Sequence, residues 1–198
     1  MADQKISAMP SAATLTGAEL VPLVQSGANV KATLTAMGTF INTTLLPFGA
    51  WQDTTTQTGS ITTPTAFTLN TVDVNGGITL SATTRLTAPN TGTYNIQWSG
   101  QFQSTDVGST DVWVWLRVNG TDVAGSTGLI GMLARKSNNI PSHVIAGWNY
   151  YLSLTAGQYV EIYWLKETAN ITLSAYSASV SPAYPSTASL VVTMNQVG

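Results

Sequence analysis

The sequence predicts an all-β sandwich or barrel, preceded by a short segment built of one hairpin and one helix. Three observations point there. Alternating apolar and polar runs recur from Phe48 to the C-terminus. Turn residues (Gly, Asn, Asp, Ser) separate those runs at regular spacing. Charged residues make up only 8% of the 198, against about a quarter in ordinary domains, while the apolar share of 43% is unexceptional. Thr, Ser, Asn and Gln fill the gap, so the surface is polar without being charged. The length suits one sandwich-sized domain plus an appendage rather than two full domains.

The first zone runs from Asp3 to Leu46. Ala18 to Gln25 is a short apolar run closed by Ser26-Gly27-Ala28-Asn29, and Val30 to Leu34 reads as the return arm of a hairpin. Thr35 is placed to cap a helix over Ala36 to Leu45, where Met37, Phe40, Ile41 and Leu45 fall on one face. Gly38 and Thr43-Thr44 weaken that helix, and Pro47 ends it. Such a segment has too little core to stand alone, and its periodic apolar residues suit a docking element better than a loose leader. The boundaries expected are 1–47 for docking and 48–198 for the sandwich.

In the second zone Ala66 to Leu69 and Gly77 to Ser81 flank Asn75-Gly76, which predicts a hairpin. Thr91-Gly92 opens a long strand with Tyr94, Ile96, Trp98 and Phe102 on one face and Asn95, Gln97, Ser99, Gln101 and Gln103 on the other. Asp111 to Val118 ends at Asn119-Gly120, a second hairpin signal. His143 to Leu154 puts Val144, Ala146, Trp148, Tyr150 and Leu152 on one face. Thr155-Ala156-Gly157 turns into Gln158 to Leu165, and Ser189 to Val197 is the last strand.

Several strands carry apolar residues on both faces. Trp113 and Trp115 oppose Val112, Val114, Leu116 and Val118; Tyr159 and Tyr163 oppose Val160, Ile162 and Trp164. Ile145 and Tyr151 oppose the apolar face of their strand, and Val191 opposes Leu190, Val192 and Met194. An antiparallel sandwich buries one face of each sheet and wets the other, so the second set implies a partner surface. Each large side chain left in water forgoes about 1.5–3 kcal/mol, enough over several copies to hold an obligate oligomer.

Gly92-Thr93-Tyr94-Asn95-Ile96-Gln97-Trp98, Val114-Trp115-Leu116-Arg117-Val118-Asn119-Gly120 and Trp148 through Ile162 together resemble the C1q/tumour-necrosis-factor jelly roll. In that family a Gly-x-Tyr opens the long central strand, an Asn-Gly ends the next, and a Leu-x-x-Gly-(Asp)-x-Val corner joins the later pair. Gln158 stands here where the family often has Asp. The resemblance covers Phe48 to Gly198 and implies a ten-strand jelly roll that trimerises through its inner sheet. Carried onto this chain, it places Gln97, Gln101, Ile145, Tyr151 and Val191 at the trimer interface.

The first zone has its own likeness. Lys5-Ile6-Ser7-Ala8-Met9-Pro10, Leu15-Thr16-Gly17-Ala18-Glu19-Leu20-Val21-Pro22-Leu23-Val24-Gln25 and Val30-Lys31-Ala32-Thr33 resemble a segment that opens many tailed-phage fibre and head-decoration proteins. Met9 replaces the usual Leu, and Ser26-Gly27 keeps the turn. The likeness implies a virion component displayed on the particle surface. Leu20, Val21, Leu23, Val24, Phe40 and Ile41 would dock it on phage capsid or tail proteins.

Other chemistry is poorly provisioned. Seven scattered basic side chains and a net charge of −2 argue against a nucleic-acid binder and an electrostatic membrane anchor. The absence of cysteine excludes disulfides, zinc-thiolate sites and cysteine nucleophiles. No apolar stretch suits a signal peptide or a membrane span. His143, the one imidazole, has no Ser/Asp or Cys partner in sequence; no paired carboxylates, phosphate loop or GxSxG elbow appears, so no catalytic residue is assigned. No cofactor is expected, calcium on Asp106, Asp111 and Asp122 being the one metal these loop carboxylates could hold. One surface looks functional: Trp113, Trp115, Tyr159 and Tyr163 with Arg117 form a candidate platform for the apolar face of a sugar or for another protein. The expectation is thus a homotrimeric short head fibre or capsid decoration with the knob outward. The alternative is a receptor-binding short tail fibre or baseplate appendage that recognises host surface carbohydrate.

Overall fold

The computed structural model describes residues 15–44 and 46–198. The chain divides between Leu45 and Leu46 into two compact units. Among the described residues no helix is long and apolar enough to cross a membrane.

The first unit is the antiparallel hairpin β1 (Leu20–Gln25) and β2 (Ala28–Thr33), followed by helix α1 (Leu34–Thr44). The turn is tighter than the sequence suggests. Ser26 and Gly27 alone make it, at φ +50° and +78°, while Ala28 and Asn29 already pair with Gln25 and Val24. The helix starts two residues earlier than expected, because Thr33 rather than Thr35 caps it: Thr33 Oγ1 accepts from Ala36 N at 3.0 Å. Thr35 instead donates its hydroxyl to Gly17 O at 2.9 Å, tying the approach segment to the helix start. Glu19 accepts from Thr16 N, Thr16 Oγ1 and Gly17 N, each at 2.8 Å, and these bonds hold its carboxyl down to about 2. Residues 1–14, which include Lys5 to Pro10, lie outside the described residues.

The second unit is a two-sheet antiparallel jelly roll. Its strands are β3 (Phe48–Asp53), β4 (Thr65–Ala66), β5 (Thr71–Gly76), β6 (Thr79–Ser81), β7 (Arg85–Thr87), β8 (Gly92–Ser104) and β9 (Thr110–Val118). There follow β10 (Thr121–Asp122), β11 (Gly128–Met132), β12 (Ser142–Leu154), β13 (Tyr159–Lys166), β14 (Ile171–Leu173), β15 (Ser179–Val180), β16 (Ala183–Tyr184) and β17 (Leu190–Gln196). One sheet runs β12-β8-β17-β3-β5 with β14 beside β8; the other runs β10-β9-β13-β7-β6, with β11 beside β9 and β4 beside β13. The long strands β8, β9, β12, β13 and β17 alternate between sheets as the chain advances, which is the jelly-roll winding. The two sheet paths carry ten strands between them, and β4, β11 and β14 are short additions. β15 and β16 form a separate hairpin.

The inward faces are those the alternation predicts. Tyr94, Ile96, Trp98, Phe102, Leu190, Val192 and Met194 meet Val112, Val114, Leu116, Val160, Ile162 and Trp164 across the sandwich. Phe67 seals the middle, its ring 5.7 Å from both Trp98 and Trp164. The hairpin expected at Asn75-Gly76 fails, because β5 pairs with β3 and β6 pairs with β7 in the opposite sheet. Gly77, at φ +106°, swings the chain from one sheet to the other and buries Ile78 on arrival.

Among the described residues three charged side chains are buried: Asp53, Glu161 and Lys166. Asp53 accepts from Thr55 N, Thr55 Oγ1, Gln57 Nε2, Thr68 Oγ1 and Asn70 Nδ2 at 2.6–3.2 Å, and so fastens the long connection before β5. Glu161 accepts from Thr84 Oγ1 at 2.6 Å and pairs with Arg85. Lys166 gives its ammonium to the carbonyls of Ala169 and Ile171, and burial lowers its pKa.

Candidate functional site

Two sheet faces and one groove of the first unit present the candidate residues. The outward face of the β12-β8-β17-β3 sheet carries Gln97 and Gln101 on β8, Ile145 and Tyr151 on β12, and Val191 on β17. The ladder fixes their layout. Ile145 stands opposite Gln101, Tyr151 opposite Asn95, and Val191 between Ser99 and Gln52. Ile145 is 72% exposed, Tyr151 62% and Val191 41%, while Gln101 is half-buried because its Nε2 donates to Ala188 O at 3.1 Å. Register adds two residues absent from the sequence reading. Phe48 lies in the same row as Asn195, Asn95 and Tyr151, and Val74 faces Ala50.

The outward positions of these four strands hold no Lys, Arg, Asp or Glu. They are Thr93, Asn95, Gln97, Ser99, Gln101 and Gln103; His143, Ile145, Gly147, Asn149, Tyr151 and Ser153; Val191, Thr193 and Asn195; Phe48, Ala50 and Gln52. Asp73, on the edge strand, reaches one rim, where it accepts from Gln52 Nε2 at 2.8 Å. In the row that Phe48 begins, Asn95 Oδ1 is buried without a hydrogen-bond partner among the described residues. His143 sits at one end, its Nδ1 3.3 Å from the Tyr176 hydroxyl, which itself donates to Gln103 Oε1. Burial first, and Lys136 second, lower the His143 pKa. No nucleophile or carboxylate pairs with this imidazole among the described residues.

The outward face of the other sheet carries the aromatic platform, but the structure divides it. Tyr163 stands opposite Trp115 and Leu165 opposite Trp113. The Trp115 and Tyr163 rings lie 6.2 Å apart, and the Arg117 guanidinium covers Tyr163 at 3.9 Å. Arg117 is committed further: its Nε donates to Asp122 Oδ1 at 2.5 Å. The same Oδ1 accepts from Trp115 Nε1 at 2.6 Å. The guanidinium and then the indole N–H hold the Asp122 carboxyl below its usual range, and Asp122 raises Arg117 in turn. Tyr159 stands apart under Arg85, whose guanidinium lies 4.6 Å above its ring. Tyr159, Tyr163 and Arg117 are therefore covered or tied. Trp113 and Trp115 remain, and they line a shallow hollow of about 570 Å³ with Asp122, Val123, Thr127 and Leu165. Sequence reading missed Asp122, Thr127 and Leu165 as members. Asp122 was within reach, since the two-residue Asn119-Gly120 turn sets it opposite Arg117.

The loop carboxylates do not converge. Asp106 accepts from Asn170 Nδ2, Thr168 Oγ1 and Gly108 N; Asp122 takes Arg117 and Trp115; Asp111 lies on β9, where its N–H donates to Glu167. Among the described residues no three acidic or histidine side chains gather to hold a metal.

In the first unit Leu20 and Val24 are more than half exposed, and Val21 and Leu23 are half-buried. Leu23, Val24, Ala32, Ala36, Met37 and Phe40 line an apolar groove. Ile41 lies on α1, and its side chain is outside the described residues.

No family model matches the chain, and no curated protein matches it. Among solved structures it is similar to the globular domain of zebrafish complement 1qA protein, at 13% identity and a TM-score of 0.45, over 78% of this chain and 98% of that chain.

Proposed function

We propose that the chain is a structural protein of a tailed-bacteriophage particle: a homotrimer displayed on the virion surface as a short head fibre or capsid decoration. In this reading the first unit docks on the particle and the jelly roll faces outward. The observation that carries it is the uncharged outward face of the β12-β8-β17-β3 sheet, with Ile145, Tyr151, Val191 and Phe48 raised on it. Charge is what ordinarily keeps a sheet face wet and alone, and its depletion marks the core of an interface. Full burial of those side chains would contribute about 1.5–3 kcal/mol each. A partner's donor would also satisfy Asn95 Oδ1. The phage assignment and the docking role rest on the fibre-like pattern of Leu15 to Thr33, which the structure folds into the β1–β2 hairpin and its approach.

The test is a pair of substitutions on the carrying surface. Light scattering of Ile145→Asp/Tyr151→Asp should give the mass of one 20.8 kDa chain where the wild type gives three times that. A double variant that keeps the wild-type mass removes this face from the interface. A second reading, a receptor-binding short tail fibre or baseplate appendage acting on host surface carbohydrate, is favoured by the Trp113–Trp115 hollow on the opposite sheet. Copy number on reconstructed particles separates the two locations: hundreds place the protein on the capsid, a few trimers on the tail.

A further inference from the structure

We infer that the hollow between Trp113, Trp115, Asp122, Thr127 and Leu165 binds an uncharged pyranoside, with the indole faces taking the sugar's C–H face and Asp122 accepting from its hydroxyls. The inference rests on the carbohydrate reading just given and assigns its residues and its ligand class. Trp113 and Trp115 are successive same-face positions of β9, so their rings are offset by about 7 Å along the strand. Leu165, paired with Trp113, extends the apolar floor. A volume of about 570 Å³ lies within the range of small-ligand sites.

The polar groups around this floor have unused capacity. Asp122 Oδ1 serves Trp115 and Arg117, but Oδ2 meets only Arg117 Nη2 at 3.5 Å. Thr127 Oγ1 and Trp113 Nε1 have no hydrogen-bond partner among the described residues. A ligand that offers an apolar face and several hydroxyls satisfies both sets together; an aliphatic side chain from a protein partner would leave the polar set unpaired. Charge narrows the class. Arg117 is neutralised by Asp122 and lies over Tyr163, and Arg85 is spent on Glu161 and Tyr159. Among the described residues no Lys or Arg lines the hollow, so a sialic acid or uronate gains nothing there and meets the Asp122 carboxylate.

The site is also preorganised. Trp115 is fixed by its bond to Asp122 and by Tyr163 behind it, so binding costs little side-chain freedom.

The test is a titration of the full-length protein, observed through its indole N–H signals by NMR. The probes are methyl β-D-glucopyranoside, methyl β-D-galactopyranoside, methyl α-D-mannopyranoside and methyl α-L-rhamnopyranoside, with N-acetylneuraminic acid as the anionic comparison. At least one neutral glycoside should shift the Trp113 and Trp115 signals saturably, with Kd on the order of 1 mM. Thr127→Val, an exposed change that leaves the fold intact, should weaken binding several-fold, and Trp113→Ala should weaken it at least about tenfold. The signal of Trp51, buried on β3 of the other sheet, should not move. Silence of both indoles to all four glycosides overturns the inference, as does saturation by N-acetylneuraminic acid alone or equal affinity in Thr127→Val. The role in host attachment fails separately: particles carrying Trp113→Ala that adsorb normally would leave a sugar site with another purpose.

Discussion

At the residue scale, two carboxylates show how an uncharged surface is held by a few charges placed under cover or under donors. Asp53 is buried and accepts five hydrogen bonds from neutral donors. Asp53→Ala strands Thr55, Gln57, Thr68 and Asn70 together, and urea unfolding should show a loss of about 3–5 kcal/mol. Asp106 is held at about 2 chiefly by the Asn170 side chain, then by Thr168 and the Gly108 N–H. Its pKa is depressed in the folded state, so its contribution is complete above the unfolded value near 3.8 and is lost as pH falls through about 2. A carboxyl-carbon titration should place the Asp106 midpoint near 2, and Asn170→Ala should raise it. A midpoint at the ordinary carboxylate value would remove this anchor. Neither role was legible in sequence. Nothing in the sequence marks Asp53, and its donors Thr68 and Asn70 come from the far end of a connection that alternation does not describe.

At the element scale, the long strands and their facing were legible, while short strands such as β3, β5 and β11, and the pairing, were less so. The faces of β8, β9, β12, β13 and β17 follow from period-two alternation, because a core that buries one side leaves the sequence little freedom there. The two Asn-Gly signals show where local reading stops. Asn119-Gly120 makes the expected turn, with φ +49° and +79°, and returns Thr121 and Asp122 alongside Val118 and Arg117. Asn75-Gly76 is followed by Gly77, and the chain leaves for the other sheet; nothing within the dipeptide encodes which strand is available to pair. The same limit hid Leu165 from the aromatic platform, since its place opposite Trp113 depends on the β13–β9 register. Gly147 carries a prediction at this scale. A Cβ there would lie 2.6 Å from Trp98 O, a backbone atom that cannot yield without moving the β12–β8 ladder. Gly147→Ala should therefore cost about 1–3 kcal/mol in chemical denaturation. Unchanged stability would mean that β12 lies differently on β8.

At the scale of the whole molecule, the division between Leu45 and Leu46 separates a small hairpin–helix unit from a jelly roll with its own core. Removing residues 1–45 should leave a soluble knob that keeps its oligomeric mass and no longer joins the particle; an insoluble or monomeric product would make the first unit part of the knob's assembly. The sandwich, its two-faced strands and its candidate surfaces were all visible in the alternation of Trp, Tyr, Ile and Val. What occupies those surfaces was not, because a face without charge specifies burial and not a partner. The most direct measurement is equilibrium sedimentation of the purified protein over a dilution series into the micromolar range. A constant mass three times that of the 20.8 kDa chain is the expected result, and a single sedimenting chain throughout would contradict it.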